Sequence, residues 1–296
     1  MPLHPSAPEE LSDLVEAYRQ AMRSFIDLAR SCPDAKVDDP TCCPGWSVKD
    51  HVAHVASLEA YFDGGDYPEV ELPETEHLKS TFTTWIEHGV RARTDHTMEQ
   101  LLEELETATF NRLASLSNPD LTVETMVHGP MDREVTLADL LQRRLVDIWV
   151  HEQDIREALG RIGNLDSPAA STFVARIVDA FPRILTRRLD LPAGQTVILE
   201  STGPVTARVG VRMAHGSDGV VVGHTLFTGS QETAAEDAAD QVEHPEEDVV
   251  TTSISMSTDA LTRRAAGRRT TEDSSYKVVG DEEVAALVLD ALVITP

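Results

Sequence analysis

The segment RRLVDIWVHEQDIREAL constrains this chain more than any other, because as a helix it lines up four ionisable side chains on one side. Arg144, Asp147, His151 and Asp154 follow one another at spacings of three, four and three, so all four project from one face. On the same helical wheel Leu137, Leu140, Leu141, Ile148, Ile155 and Ala158 fall within or beside that arc, so the polar line faces a protein interior. Buried charge without partners costs several kcal/mol or more, so these groups are paired or bind a cation. Both readings stand on spacing alone. In one, Arg144 pairs with Asp147 and His151 with Asp154 in a metal-free ladder. In the other, a carboxylate at i and a histidine at i+4 converge on a divalent ion, with Asp154 as the acceptor that holds the ligand imidazole.

The surrounding periodicity supplies an interior for that face. Apolar residues recur at three- and four-residue spacing from Pro8 to Arg30, predicting a long first helix. Ser47, with Asp50 in the third position, caps a second helix to about Phe62, and a third helical region runs from about Thr81 to Leu116 with an interruption near Thr94. Thr136 caps the polar-lined helix, Leu137 to Leu159, which Gly160 ends. Four long helices in about 160 residues predict a four-helix bundle.

Beyond it the pattern changes to a helix near Ser171 to Arg188 and β-branched runs TVILE, TARVGVRM and GVVVGHTLF, an antiparallel hairpin or meander. Further on come TTSISMST, a helix around Asp259 to Gly267 and a final helix in EEVAALVLDAL. The expected fold is α plus α+β: a bundle over 1–164 and a smaller α+β domain over 165–296. The Lys- and Arg-free run at about 230–249 reads as a solvated acidic insertion.

Composition narrows the function classes. Two domains suit 296 residues, and 51 acids against 25 bases give a formal charge of −26, which repels nucleic acid and anionic membranes. Three cysteines, Cys32, Cys42 and Cys43, form no CxxC, and no signal peptide or membrane span is visible; the expectation is a soluble cytoplasmic protein. Cys43, beside Pro44, Gly45 and Trp46, reads as structural.

Helix two offers further ligands. His51 lies close to its apolar stripe, His54 at its edge, and Glu59 inside it, so either histidine reaches into the bundle. Imidazole with one carboxylate suits Zn²⁺, Ni²⁺ or Fe²⁺, and three protein ligands leave positions open for substrate. The hydrolase pattern HExxH is absent, because His151-Glu152 continues Gln-Asp-Ile.

Three motifs then occur in order: CPGWSVKDHVAHV, GPMDREVTLADLLQRRLVDIWVHEQDIREALGR, and STDALTRRAAGRRT with VVGDEEVAALVLDALVITP. Together they resemble the mycothiol-dependent maleylpyruvate isomerase family, which has a DinB-like metal-binding four-helix bundle followed by a smaller α+β domain. The resemblance implies that His54, Asp147 and His151 hold a divalent metal, usually zinc, and it prefers His54 to His51. Where the family often has glutamate, this chain has the shorter Asp147. Arg144 and Asp154 are assigned beside the ligands as catalytic groups. The implied chemistry is a metal-bound mycothiol thiolate that isomerises a maleylpyruvate-like substrate or is transferred to an electrophile. Arg143, Arg144 and Arg156, and the late Arg263, Arg264, Arg268 and Arg269, are candidates for gripping substrate carboxylates, although pairing with the excess acids is their ordinary use. Two alternatives are a non-catalytic sensor module with the same constellation and a metal-free polar core.

Overall fold

The computed structural model describes residues 3–72, 78, 80–216, 219–227 and 250–295, so the acidic insertion expected at about 230–249 lies outside the described residues. The chain divides into two compact units, Pro8–Asn164 and a second formed by Met1–Ala7 with Leu165–Pro296.

The first unit is helical. Helices α1 (Leu11–Arg30), α2 (Val48–Phe62), α3 (Thr81–Arg91), α4 (Met98–Leu116) and α5 (Leu137–Leu159) are accompanied by a hairpin of β1 (Met126–His128) and β2 (Glu134–Thr136). The interruption expected near Thr94 is the α3–α4 break. Helix α1 packs on α4 and α5, and α2 on α3, α4 and α5. Their shared core contains Leu14, Met22, Phe25, Leu101, Leu105, Leu140, Leu141 and Ile148.

Local chemistry sets the helix starts. The Ser47 side chain accepts from the Asp50 N–H while the Asp50 carboxylate accepts from the Ser47 N–H, completing the capping box. The Thr136 side chain accepts from the Asp139 N–H, and Gly160 closes α5 in the left-handed region at φ 66°. Just ahead of α2, Cys43 to Trp46 form a tight turn. Gly45 sits at φ 81° and the Trp46 N–H donates to the Cys43 carbonyl at 3.1 Å, which explains proline followed by glycine in that motif.

The second unit is α+β. Helix α6 (Pro168–Arg188) precedes the strands β3 (Gln195–Thr202), β4 (Thr206–His215) and β5 (Val221–Leu226). After them come β6 (Val250–Met256), α7 (Thr258–Ala265), β7 (Tyr276–Val279) and α8 (Glu282–Asp290). The sheet order is β5-β4-β3-β6-β7. Strands β3 to β5 form the expected antiparallel meander, but β6 runs parallel to β3, making the sheet mixed. A long β5–β6 connection lets β6 enter beside β3 instead of extending the meander. Strand β7 pairs antiparallel with β6 and had no clear alternation to announce it. Among the described residues no helix is long and apolar enough to cross a membrane.

Helix α3 approaches α2 closely at Gly89, where an added Cβ would meet Ser57 Oγ, the Tyr67 hydroxyl and, at 2.9 Å, Ser57 Cβ. Alanine would gain about 1 kcal/mol in helix propensity, whereas overpacking typically costs about 1–3 kcal/mol. Gly89→Ala is expected to lower stability by about 1 kcal/mol, read as a reduced urea midpoint; an unchanged or raised midpoint would show that the contact relaxes freely.

Candidate metal centre

The polar line of α5 meets α2 inside the bundle. His54 Nε2 lies 3.4 and 3.3 Å from the two Asp147 oxygens, and His151 Nε2 lies 3.5 Å from Asp147 Oδ1. The three side chains form a group whose ligand atoms all lie within 4.8 Å of one another. Zinc bonds of about 2.0–2.1 Å in tetrahedral geometry place ligand atoms about 3.4 Å apart, so these separations fit a cation better than a set of short hydrogen bonds. The shorter aspartate reaches both imidazoles. Its side chain is 32% exposed, so the group is approachable from one side.

Charge is held in this interior by a chain of partners. Arg144 Nε and Nη2 donate to Glu59 Oε1 at 3.0 and 2.7 Å, Arg144 Nη1 donates to Asp147 Oδ2, and the Tyr18 hydroxyl donates to Glu59 Oε2. Burial alone would raise the Asp147 carboxyl, but His54, Arg144 and the hydrogen bonds from His151 and His54 hold it well below the usual carboxylate range. Burial pushes the His54 imidazole down to about 4, against the pull of Asp147, so it is neutral at physiological pH. For His151 burial acts downward, but hydrogen bonds donated to Asp147 and Asp154 and the negative charge of both carboxylates win, and its pKa is raised.

The two histidines are backed differently. His54 Nδ1 has no hydrogen-bond partner among the described residues. His151 Nδ1 lies 2.9 Å from His51 Nδ1 and 3.4 Å from Asp154 Oδ2. Hydrogen bonding assigns the protons for neutral rings. The Thr41 hydroxyl donates to the Trp46 carbonyl at 3.1 Å, so at 2.8 Å from His51 Nε2 it accepts. His51 then carries its proton on Nε2, its Nδ1 accepts from His151 Nδ1–H, and His151 Nε2 is left as a lone pair facing Asp147.

Several of these partners were not visible in the sequence. Cys42 Sγ donates to Asp154 Oδ1 at 3.3 Å, and Cys43, His51 and Asp154 form a second group of potential ligand atoms behind His151. Trp46 packs its ring on His51, His54 and His151 at centroid separations of 5.4, 5.0 and 5.4 Å. Its Nε1 donates to buried Glu87 of α3 at 3.0 Å, and Arg91 donates to the same carboxylate. Helical periodicity placed His51, Glu59 and Asp154 near the core; nothing in it pointed to Thr41, Cys42 or Glu87. Of the arginines proposed to grip substrate, Arg143 pairs with Asp139 and Arg156 with Glu152. In the second unit Arg264 donates to the Asp290 carbonyl, Arg269 pairs with Asp259 and Arg268 donates to the Ala266 carbonyl, while Arg263 is buried.

Two histidines and a carboxylate converging from α2 and α5 inside a helical bundle are the kind of donor set with which bundle cores can hold a metal. Residues 18–156 match the family described as the mycothiol maleylpyruvate isomerase N-terminal domain, so it is the helical unit that is similar to that family. No curated protein sequence matches the chain. A crystal structure of a histidine-to-alanine mutant of the mycothiol-dependent maleylpyruvate isomerase is similar, with a TM-score of 0.51, 13% identity, and 90% of this chain and 92% of that chain covered. A second crystal structure of the mycothiol-dependent maleylpyruvate isomerase gives a TM-score of 0.49 and 16% identity over the same shares. At this identity the first likeness speaks for the fold.

The hydrogen-bond path to His151 has a measurable consequence. Thr41→Val removes the acceptor that fixes the His51 proton. If His151 holds a divalent ion, the variant is expected to weaken zinc binding by up to about 10-fold, the lower end of the effect of losing a direct partner of a ligand, measured by competition with a chelating dye. Unchanged affinity would show that Asp154 alone orients His151.

Proposed function

We propose that His54, Asp147 and His151 hold a divalent metal, zinc by donor chemistry, and that the protein uses it to present a low-molecular-weight thiol of the mycothiol type to an electrophilic substrate. The match of residues 18–156 to the mycothiol maleylpyruvate isomerase N-terminal domain supports this reading. The observation that supports the metal-dependent reading is the convergence of these three side chains within 4.8 Å, with the Asp147 oxygens 3.3 to 3.5 Å from both imidazoles, Asp147 anionic and His54 neutral. When bound, the metal supplies deprotonation of a thiol that is mostly protonated at neutral pH, free thiols titrating at about 8.5.

The chain's own residues do the rest. Arg144, engaged by Glu59 and Asp147, holds the ligand carboxylate in place and keeps it charged, so its part is positioning and not substrate contact. Asp154 and His51 orient His151 from behind. The Trp46 ring shields the histidines on one side, while the exposed side of Asp147 is where thiol and electrophile approach. The electrophile then undergoes either reversible addition of the thiol across its double bond, rotation and release, giving cis–trans isomerisation as for a maleylpyruvate-like compound, or S-transfer, in which the sulfur displaces a leaving group that departs with the thiol proton.

Metal analysis of the purified protein against the triple variant His54→Ala, Asp147→Ala, His151→Ala tests the ligand set. Close to one metal per chain is expected in the wild type and almost none in the variant; equal, near-zero metal in both would sink the reading. Thiol consumption with mycothiol, bacillithiol, glutathione and cysteine against a panel of electrophiles tests the activity, with metal-dependent turnover expected for mycothiol. Ligand-induced stabilisation without turnover of any thiol would point to a sensor.

Because His151 is raised, metal and proton compete for it. Lowering the pH through its pKa must weaken zinc binding, while His54, titrating at about 4, adds no competition near neutrality. Calorimetry in buffers of different ionisation enthalpy should show proton release that grows as the pH falls from about 8 to about 6. Binding with no pH dependence over that range would exclude His151 as a ligand.

A further inference from the structure

Next to the candidate metal centre the first unit contains a cavity of about 1210 Å³ whose walls come from α2, α3, the segment after α2 and the β1–β2 hairpin. Ligand pockets commonly span about 300–1,000 Å³, so this one is far larger than a compact diacid needs. Four aromatic rings shape one side. Tyr67 and Trp85 stack at a centroid separation of 3.8 Å and 19°, and Tyr61 meets both edge-on at 5.5 Å, with Phe62 5.3 Å from Tyr61.

Two observations connect this wall to the metal ligands. Tyr61 lies seven residues after His54 on α2, two turns along the same face and about 10 Å away by helical rise. The Phe62 ring faces the Arg144 guanidinium at 5.6 Å, so one residue of the wall touches the group that holds Asp147.

The charge on the lining argues about the occupant. Asp66, Glu69 and Asp132 outnumber Arg112, so a dianion entering the cavity meets carboxylates of its own sign. Arg112 donates from Nη1 to the Phe62 carbonyl, and its buried Nη2 finds no hydrogen-bond acceptor among the described residues. The far rim is fixed: Met131 and Asp132 sit at φ 57° and 56°, and the Tyr61 hydroxyl donates to Asp132 Oδ1 at 2.7 Å.

From this geometry we infer that the cavity binds a planar, uncharged aromatic compound as the electrophilic co-substrate, its ring against the Tyr67–Trp85 wall. This rests on the proposed function for the word electrophilic; the binding itself stands apart from it. Aromatic walls reward flat apolar surface, whereas the acid-rich lining disfavours a maleylpyruvate-like dianion.

The test is therefore a binding measurement that needs neither metal nor thiol. Calorimetric titration of the full chain with 1,3-dinitrobenzene, an unreactive planar probe, is compared with fumarate. Saturable one-to-one binding of the probe is expected with and without zinc, with fumarate at least about tenfold weaker. Trp85→Ala, and Thr84→Trp, which fills the space from the α3 wall, should each weaken the probe at least about tenfold while remaining folded by circular dichroism. His54→Ala should leave it within about twofold. Fumarate binding as tightly as the probe, loss of probe binding in His54→Ala, or full binding by a folded Thr84→Trp would each overturn the inference. Probe binding that persists while no thiol is consumed upholds the cavity's assignment and counts against the thiol-transfer reading alone.

Discussion

The Arg144 guanidinium, buried between Glu59 and Asp147, is the interaction on which the interior of the first unit depends. Three ionised groups in a bundle core would be prohibitive if any lacked a partner, and removing one member of such a set typically costs about 3–5 kcal/mol. Tyr18 from α1, Glu59 from α2, and Arg144 and Asp147 from α5 therefore fix the mutual position of three helices. The same network keeps the partly exposed Asp147 carboxylate charged beside the two histidines.

His151 shows how one side chain serves two surroundings. Its Nε2 faces Asp147 and the approachable side of the site, while its Nδ1 faces His51 and Asp154 in the interior. The proton assignment that frees Nε2 begins at Thr41, in the loop before α2. Trp46 from the same loop covers the three histidines and is held by Glu87 of α3, so the conspicuous tryptophan of the PGW motif is a cover for the site built on a tight turn.

Much of this was legible beforehand, and the reason differs by element. The capping residues Ser47 and Thr136 and the terminating Gly160 are local chemistry, and the helices they bound begin and end where expected. The inward direction of Asp147, His151 and Asp154 followed from their shared arc with leucines. Choosing His54 over His51 was beyond periodicity, since both are buried and both touch the α5 polar line; that choice came from the resemblance, and the geometry gives the two rings different places, one beside Asp147 and one behind His151. The parallel β3–β6 pair and strand β7 were not legible, because strand neighbours depend on where a long connection returns.

Sequence alone determined that an ionisable line on α5 would face a core and that two histidines of α2 could meet it, because helical spacing fixes which side chains share a face. Tertiary structure decided which partner each group received. That Arg144 pairs with Glu59, that His51 stands behind His151 and that Cys42 donates to Asp154 all turn on distances between elements remote in the chain, which no local pattern encodes.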